Sequence, residues 1–302
     1  MERDDDPTVT CLTPDEAFGL LGDETRFEIL RVLNRAEESL SFSELRTRVG
    51  ADDPGGFNYH LGKLTGQFVR KTDDGYDVAP PGERVVGAVL SGGYTAEFSA
   101  DAVPVDGNCL HCGGRLEAVF RDHGITIDCT GCEWMFTDPE IPAGLMDGMD
   151  AAAAPTVVAR WLRTLDEAAE VGMCTNCHGQ LDSTLYLSDD EDAPDWLEGS
   201  GLVGMEFHEC GRCGHRYNRS VQLAVLSHPL VAAFHYEHGI DLRETPRWEL
   251  PWLKEDNATV ESTDPLRIAV PMTLDGETRT FVFDRELDVV ERHGGEVLTP
   301  EE

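Results

Sequence analysis

Several sequence features typical of membrane proteins, secreted proteins and common enzymes are missing from this chain. It has no run of about 18 apolar residues, the length that a membrane-spanning helix needs. Its first ten residues are acidic and lack the apolar stretch of a signal peptide. No serine elbow, phosphate loop or dinucleotide-binding fingerprint occurs in the required context. We therefore expect a soluble, cytoplasmic protein that is not an enzyme.

Lysine is also scarce, because only Lys63, Lys71 and Lys254 are lysines among the 24 basic residues. Against them stand 58 acidic residues, which give the 302-residue chain a formal charge of −34. The acidic excess follows the whole chain and coexists with periodic apolar segments, unlike an acidic disordered tail. This composition resembles that of halophilic archaeal proteins, so we attribute the global charge to solvation and infer no partner from it.

The N-terminal hundred residues contain four helix-start signals. Each signal contains a cap residue whose side chain accepts hydrogen bonds from free backbone amides. A nearby proline or glutamate, or apolar residues at helical spacing, accompanies the cap. The four caps are Thr13, Asp23, Ser41 and Asp53. The sequence therefore predicts four short helices, the third of which ends at Gly50.

The fourth predicted helix is amphipathic. Phe57, Leu61 and Leu64 recur at positions i, i+4 and i+7 and are expected to point inward. The same geometry turns the polar positions outward, with His60 at the edge: Asn58, Tyr59, Gly62 and Lys63. Two short strands, 68–72 and 76–78, follow around an Asp-Gly turn. Helices followed by a hairpin in this order predict a winged helix-turn-helix.

Three segments of this region, EAFGLLGDETRFEILRVL, FSELRTRVG and FNYHLGKL, resemble the ArsR-type winged-helix regulators. The resemblance covers residues 12–95. It implies that the helix at 54–65 enters the DNA major groove, that the hairpin contacts phosphate or the minor groove, and that the protein is a homodimer. By the same resemblance, residues 81–90 form the dimerisation helix. Residues 43–49 contain no cysteine, unlike metal-sensing members, so metal sensing there is not expected.

Local charge supports a nucleic-acid interface in the same region. Residues 41–72 have a net charge of +2 within the acidic chain, which favours contact with phosphates. The candidate DNA contacts are Asn58, Tyr59, His60, Lys63, Arg70 and Lys71. Asn58 is suited to paired hydrogen bonds with adenine. A winged helix used for protein docking or dimerisation is the alternative.

Eight of the nine cysteines form Cys-x-x-Cys pairs, and Cys11 stands alone. Two residues between the thiolates let one tight turn present both sulfurs to one ion, and two such turns complete a tetrahedral zinc shell. The first set is Cys109, Cys112, Cys129 and Cys132, and the second is Cys174, Cys177, Cys210 and Cys213. We therefore expect two structural zinc sites of the ribbon type.

The spacing between the pairs differs between the two sets. Sixteen residues separate the pairs of the first set, and they suit a strand (115–121), a turn at His123 and a second strand (125–128). Thirty-two residues separate the pairs of the second set and include an acidic run, 189–192, which predicts an inserted loop. Gly179 and Leu181 echo Gly113 and Leu116 of the first set, and Gly211 echoes Gly131.

Other uses of these cysteines fit less well. Disulfides are disfavoured in a reducing cytoplasm, and redox Cys-x-x-Cys motifs occur singly on a strand-to-helix turn. Ligation of an iron-sulfur cluster remains the open alternative to zinc. Four thiolates leave no open coordination position for catalysis. The bordering histidines are therefore expected to be solvated rather than ligating: His111, His178, His208 and His215.

The chain is expected to have an α+β architecture in four parts. A winged helix-turn-helix occupies 1–99, zinc ribbon 1 occupies 100–150, a helix with zinc ribbon 2 occupies 151–240, and a β segment occupies 241–302. The helix carries Val157, Trp161 and Leu165 and ends near Gly172, and Ser227 is predicted to cap a further short helix. Alternating apolar residues around an Asp275-Gly276 turn predict a C-terminal β-hairpin packed on the ribbons.

Together these patterns predict a sequence-specific DNA-binding transcriptional regulator, bound to double-stranded DNA as a homodimer and without membrane association. The alternative is an interaction factor of the transcription machinery, because a winged helix followed by a zinc ribbon also resembles archaeal transcription factor E. The FNYHLGKL segment and the second ribbon favour the regulator.

Overall fold

The computed structural model describes residues 12–93, 97, 99–122, 124–132, 134–135, 141–253 and 257–294. Cys11, His123 and Lys254 lie outside the described residues. The chain divides into two compact units, Met1–Ala96 and Glu97–Glu302. It is a mixed α+β protein with helices and small antiparallel sheets in both units. None of the described helices is both long and apolar enough to cross a bilayer.

The described part of the first unit, residues 12–93, contains five helices and one β-hairpin. The helices are α1 (Pro14–Leu21), α2 (Glu24–Asn34), α3 (Phe42–Val49), α4 (Pro54–Leu64) and α5 (Pro80–Leu90). The hairpin strands are β1 (Val69–Lys71) and β2 (Tyr76–Val78), paired antiparallel. All four predicted helix starts are confirmed, and Gly50 ends α3 in a left-handed conformation.

Local hydrogen bonds explain these helix starts. At α3, the Ser41 backbone N–H donates to Glu44 Oε2 at 3.0 Å, and the Glu44 N–H donates to Ser41 Oγ at 3.3 Å. This reciprocal pair satisfies amides that have no partner within the helix. The core of the unit lies between α2, α3, α4 and α5, where Leu30, Leu45 and Val86 are buried.

The second unit begins with a cysteine-bearing sheet, a long helix and a second cysteine-bearing sheet. The first sheet has the order β3 (Val103–Asn108), β4 (Arg115–Arg121), β5 (Gly124–Cys129). Helix α6 spans Ala154–Glu170. The second sheet has the order β6 (Leu181–Leu187), β7 (Gly204–Cys210), β8 (Arg216–Ser220). The predicted strands of the first set are confirmed, and β3 and β8 are additional strands.

Two short helices and a four-stranded sheet complete the unit. The helices are α7 (Val221–Ala224) and α8 (Pro229–Glu237). The sheet has the order β12 (Val289–His293), β11 (Glu277–Phe283), β10 (Leu266–Leu274), β9 (Thr259–Thr263). The predicted hairpin is therefore the centre of a larger sheet. The expected four-part division of the chain stays a prediction.

The predicted cap of α8 is wrong. His228, not Ser227, is the cap, and its Nδ1 accepts a hydrogen bond from the Leu230 N–H at 3.2 Å. Ser227 lies one residue earlier, and its hydroxyl donates instead to Glu170 of α6. Pro229 occupies the first helical position, where the missing N–H has no consequence.

Two apolar cores hold the second unit together. In one, Val158 and Leu162 of α6 pack with Ile125 and Ile127 of β5 and with Trp248. The other joins the four-stranded sheet to α8 and to the far end of β6, and its members include Leu185, Leu187, Phe234, Ile268 and Phe281. The C-terminal sheet thus packs on the second cysteine-bearing sheet.

Candidate metal centres and candidate nucleic-acid interface

The first cysteine cluster, Cys109, Cys112, Cys129 and Cys132, lies at one end of the sheet β3–β5. Its four sulfurs all lie within 4.8 Å of one another. Cys109 Sγ is 3.8 Å from Cys132 Sγ, and Cys112 Sγ is 3.5 Å from Cys129 Sγ. The turn between Cys109 and Cys112 is closed by two backbone bonds, Gly113 N–H to Cys109 O and Cys109 N–H to Gly114 O, both 2.8 Å. We call this sheet with its cluster the first cysteine module.

The second cysteine cluster, Cys174, Cys177, Cys210 and Cys213, has the same arrangement. Its sulfurs also lie within 4.8 Å, with Cys174 Sγ 3.7 Å from Cys213 Sγ and Cys177 Sγ 3.5 Å from Cys210 Sγ. The His178 N–H donates to Cys174 O, and the Cys174 N–H donates to Gly179 O, both at 2.9 Å. The sheet β6–β8 with this cluster is the second cysteine module.

The sulfur separations suit one metal ion in each cluster. A disulfide would require about 2.05 Å between sulfurs, far less than any of these distances. A tetrahedron with metal–sulfur bonds of about 2.3 Å has edges of about 3.8 Å, close to the measured pairs. The two clusters are therefore two sites that could each hold a metal ion.

Register aligns the two modules residue by residue. Leu116 pairs with Cys129 in the first, and Leu181 pairs with Cys210 in the second. The structural counterpart of Gly179 is consequently Gly114, not Gly113. Both Gly114 and Gly179 accept the backbone bond from the first cysteine of their turn. Gly114 lies two residues after Cys112, and Gly179 lies two residues after Cys177. Counting from these cysteines, rather than matching glycines, identifies the equivalence.

These two glycines lie against the sulfurs. A Cβ atom at Gly114 would lie 3.0 Å from Cys129 Sγ and 3.2 Å from Cys112 Sγ. At Gly179 it would lie 3.2 Å from both Cys177 Sγ and Cys210 Sγ. The suggested match of Gly211 with Gly131 also fails, because Arg212 is the residue two positions after Cys210. The first cluster therefore needs glycine at position 114 and the second at position 179, whereas neither needs glycine at the position of Gly131.

Backbone amides favour the ionised form of one cysteine in each cluster. The Cys213 N–H and the Arg212 N–H donate to Cys210 and lower its pKa to about 7 against the opposing effect of burial. Burial also opposes ionisation of Cys129, but the Gly131 N–H and the Cys112 thiol lower the pKa of Cys129 to about 7. Thiolate is the form of cysteine that binds metal, so these amides favour metal binding by Cys129 and Cys210.

Three of the four histidines near the clusters have the expected surface character, and the fourth does not. His111 and His178 are exposed and His215 is half-buried. His208 is buried, with 2 % of its surface accessible, so the solvated prediction is wrong for it. Its Nδ1 lies 2.7 Å from Ser183 Oγ and its Nε2 3.2 Å from Glu206 Oε2.

His208 belongs to a buried polar network that sequence reasoning missed. Arg219, 4 % exposed, donates from Nε to Glu206 Oε2 at 2.8 Å and lies 3.4 Å from Glu170 Oε1 of α6. Asp166 of α6 accepts a hydrogen bond from the Tyr217 hydroxyl at 2.5 Å. These contacts fix the second cysteine module to the C-terminal half of α6. Polar strand residues flanking a Cys-x-x-Cys pair were the available signal.

Helix α4 presents a polar face above a buried apolar one. Phe57, Leu61 and Leu64 are at most 2 % exposed. Asn58, Tyr59 and Lys63 are exposed, and Lys63 Nζ lies 5.6 Å from the centroid of the Tyr59 ring. The structure thus brings three of the six candidate DNA contacts together on one face, which we call the α4 face.

The other three candidates lie elsewhere. His60 is turned toward the start of α2, where its Nδ1 lies 3.3 Å from Asp23 Oδ1. Arg70 and Lys71 are exposed on β1; Arg70 Nη2 lies 3.3 Å from Asp77 Oδ2, and Lys71 Nζ lies 6.0 Å from the Tyr76 ring centroid. The hairpin cations are therefore accessible, whereas His60 does not extend the α4 face.

Comparison with known proteins gives two family matches. Residues 14–89 match a model described as a domain of unknown function, DUF7347. Residues 106–289 match a second model, also described as a domain of unknown function, DUF7351. No curated protein and no solved structure matches the chain. The second match covers more than half of the chain and includes both cysteine clusters, so the protein belongs to the DUF7351 family.

Proposed function

We propose that the protein is a sequence-specific DNA-binding transcriptional regulator of the winged helix-turn-helix type. The order of α1–α4, the β1–β2 hairpin and α5 agrees with that architecture, with α4 as the recognition helix and the hairpin as the wing. The observation that carries the proposal is the α4 face. Asn58, Tyr59 and Lys63 are exposed there and are suited to contact bases and phosphates. Among the described ion pairs, none involves Lys63.

Local charge supports the same function. Residues 41–72 are net positive in a chain of charge −34, and two of the cations in this segment, Arg46 and Arg48, lie on α3. Such local relief from an acidic background lets phosphates approach. At high salt, counterion release contributes less, so base contacts from Asn58 and Tyr59 carry more of the affinity.

Dimer formation through α5 completes this proposal. Val86 of α5 is buried in the core of the first unit, whereas Val85 and Val89 are half-buried and Leu90 is 53 % exposed. The apolar side chains left uncovered on this helix are what a symmetric helix–helix contact would bury. Two α4 faces would then read two half-sites.

Both cysteine clusters are proposed to hold structural zinc. Four thiolates at these separations fit tetrahedral zinc and leave no position for substrate or water. The zinc ions would close the two modules by joining the Cys-x-x-Cys turns at one end of each sheet. Metal analysis of purified protein distinguishes two zinc ions from iron, and two zinc ions per chain is the expected result.

The test uses a triple variant in which glutamine replaces Lys63, Arg70 and Lys71. Retention of genomic DNA fragments by this variant is measured over a range of salt concentrations. Loss of retention with unchanged metal content supports the assignment. The matched control replaces three cations of the second unit, Arg163, Arg216 and Arg243, and should retain DNA. Retention by the first variant contradicts the α4 face as the interface.

Crosslinking and sequencing of DNA bound in the native cell test specificity. Discrete, palindromic peaks support a dimeric regulator. A diffuse promoter-wide signal, together with copurifying polymerase, favours an interaction factor of the transcription machinery instead.

A further inference from the structure

The second cysteine module carries three neighbouring aromatic residues on one side of its sheet; Trp196 is exposed, and Tyr186 and Phe207 are half-buried. Cross-strand pairing places Tyr186 and Phe207 on the side opposite to the buried His208 and Arg219. The Tyr186 and Phe207 ring centroids are 5.6 Å apart. Trp196, from the loop 188–203 between β6 and β7, lies 5.9 Å from Phe207 and is 54 % exposed. We call Tyr186, Phe207 and Trp196 the aromatic face.

The first cysteine module has no such surface at the same positions. Register places Arg121 where the second module has Tyr186, and Thr126 where it has Phe207. Arg121 donates from Nε to Thr126 Oγ1 at 3.1 Å and from Nη2 to Asp128 Oδ2 at 2.6 Å. These positions of the first module thus hold an exposed arginine and a buried threonine that are joined by a hydrogen bond. The aromatic face is therefore not a requirement of a cysteine module.

The loop 188–203 is built so that its tryptophan remains accessible. It is held at its base by the Leu187 N–H to Asp190 Oδ2 (2.9 Å) and the Ser188 N–H to Val203 O (3.1 Å). Leu197 enters the core with no accessible surface, whereas the larger neighbouring Trp196 stays outside. Exposed, adjacent aromatic residues are typical of protein interfaces, where they supply much of the binding free energy.

Charge around the aromatic face defines what binds there. The loop contains six carboxylates and no basic residue: Asp189, Asp190, Glu191, Asp192, Asp195 and Glu198. Exposed Asp182 and Glu209 lie on the same side of the sheet, and Glu209 is paired with Arg216 at 3.2 Å. This field repels nucleic acid and a second copy of a chain of charge −34.

We propose that the aromatic face, with its acidic loop, binds an arginine-containing basic segment of another protein. Guanidinium groups stack on tyrosine and tryptophan rings and also form paired hydrogen bonds with carboxylates. The second cysteine module supplies both an aromatic ring and carboxylates, because Trp196 follows Asp195 directly and precedes Glu198 by two residues. The surface is independent of the proposed DNA contacts, which belong to the first unit.

The test uses the full-length, metal-loaded protein and a fluorescent peptide of arginine, glycine and serine, followed by fluorescence anisotropy. Saturable binding is expected, at least tenfold weaker for Trp196→Ala and for Tyr186→Ala. The matched control is Tyr236→Ala, which removes another exposed aromatic residue (72 % exposed, on α8) and should leave binding unchanged. A peptide with lysine in place of arginine should bind several-fold more weakly, since ammonium stacks and pairs less well.

Nonspecific attraction to an acidic protein is excluded by a second pair of variants. Neutralising Asp189, Glu191 and Asp192 should weaken binding at least fivefold, whereas neutralising the exposed Glu37, Glu38 and Asp101 should not. Equal losses in both triple variants, or full binding by Trp196→Ala, overturn the proposal. So does a Trp196-dependent change of oligomeric state or Trp196-dependent binding of an oligonucleotide. Metal content and thermal unfolding of each variant show that the module is still folded.

Discussion

The Tyr217 hydroxyl donates a 2.5 Å hydrogen bond to Asp166 Oδ1, joining the last strand of the second cysteine module to helix α6. Asp166 also pairs with Arg247, next to the buried Trp248 of the first module's core. Burial and the nearby Asp166 carboxylate raise the pKa of Tyr217, so the phenol stays protonated. One carboxylate on α6 thus connects the packing of the two modules.

Arg219→Met is expected to destabilise the second unit strongly. Arg219 is the cation beside Glu206 and Glu170, and removing it leaves Glu206 largely buried without its main partner. The free energy of unfolding should fall by about 3 to 5 kcal/mol, measured by chemical denaturation of the metal-loaded protein. Arg163→Met is the control, because Arg163 pairs with Glu167 at the surface of α6. This substitution should lower the free energy of unfolding by less than about 1 kcal/mol. Similar losses in both variants would show that the buried network has no special role.

Gly179→Ala is expected to weaken metal binding at the second cluster. The new methyl group would lie 3.1 Å from Arg212 Cβ and 3.2 Å from two sulfurs, which must then move apart. We expect metal to be lost to a chelator from this cluster at least tenfold faster than in the unchanged protein. Gly211→Ala, in the same cluster, meets nothing closer than 3.6 Å and should retain metal normally. Equal retention by both variants would contradict the steric argument.

Asp53→Ala is expected to loosen the start of α4. Asp53 accepts hydrogen bonds from Gly55 N–H at 2.9 Å and Gly56 N–H at 2.8 Å, and these bonds lower the pKa of its carboxyl. Two glycines in the first turn make this helix more dependent on its cap. The midpoint of chemical denaturation of the protein should fall, and DNA retention should weaken. Asp52→Ala, which removes a neighbouring exposed carboxylate, should leave both quantities unchanged.

The free energy of unfolding is expected to decrease as the pH is lowered, because of His235. Its Nε2 accepts a hydrogen bond from Trp252 Nε1 at 2.8 Å, which requires the neutral ring. Burial lowers the pKa of His235 below its ordinary value of 6.5. The unfolded chain then takes up the proton first, so the stabilising effect is complete above pH 6.5 and declines as pH falls below it.

Denaturation at several pH values between 7.5 and 5.5 measures this effect, with a slope of at most about 1.4 kcal/mol per pH unit from one group. His235→Gln should reduce the slope. Burial also lowers the pKa of His228, which acts in the same direction. The difference between the unchanged protein and His235→Gln isolates His235, and identical slopes would refute its role.

Local signals predicted much of this structure. The caps at Ser41 and Asp53 act within three residues, so they identify their helices without tertiary information. The apolar spacing of Phe57, Leu61 and Leu64 likewise gave the buried side of α4. Cys-x-x-Cys spacing predicted both clusters, because ligand geometry is set by a four-residue turn.

The remaining features depend on partners distant in sequence. Strand β3 contains Pro104 and Gly107, and β8 is polar, so neither has the alternation that marks a strand. His208 is buried because Glu206, Arg219 and Tyr217 surround it, which no local pattern shows. Residues from β6, α8 and the C-terminal sheet meet in one core, and that meeting is likewise set by long-range packing.

The longer loop of the second module also affects the order in which the protein assembles. Sixteen residues separate the two cysteine pairs of the first cluster, and 32 separate those of the second. Doubling a loop raises the entropy cost of closing it by about 0.6 kcal/mol, which makes the open chain bring its ends together about threefold less often. The first cluster also leaves the ribosome earlier. When metal is limiting, we therefore expect the first module to capture its ion ahead of the second.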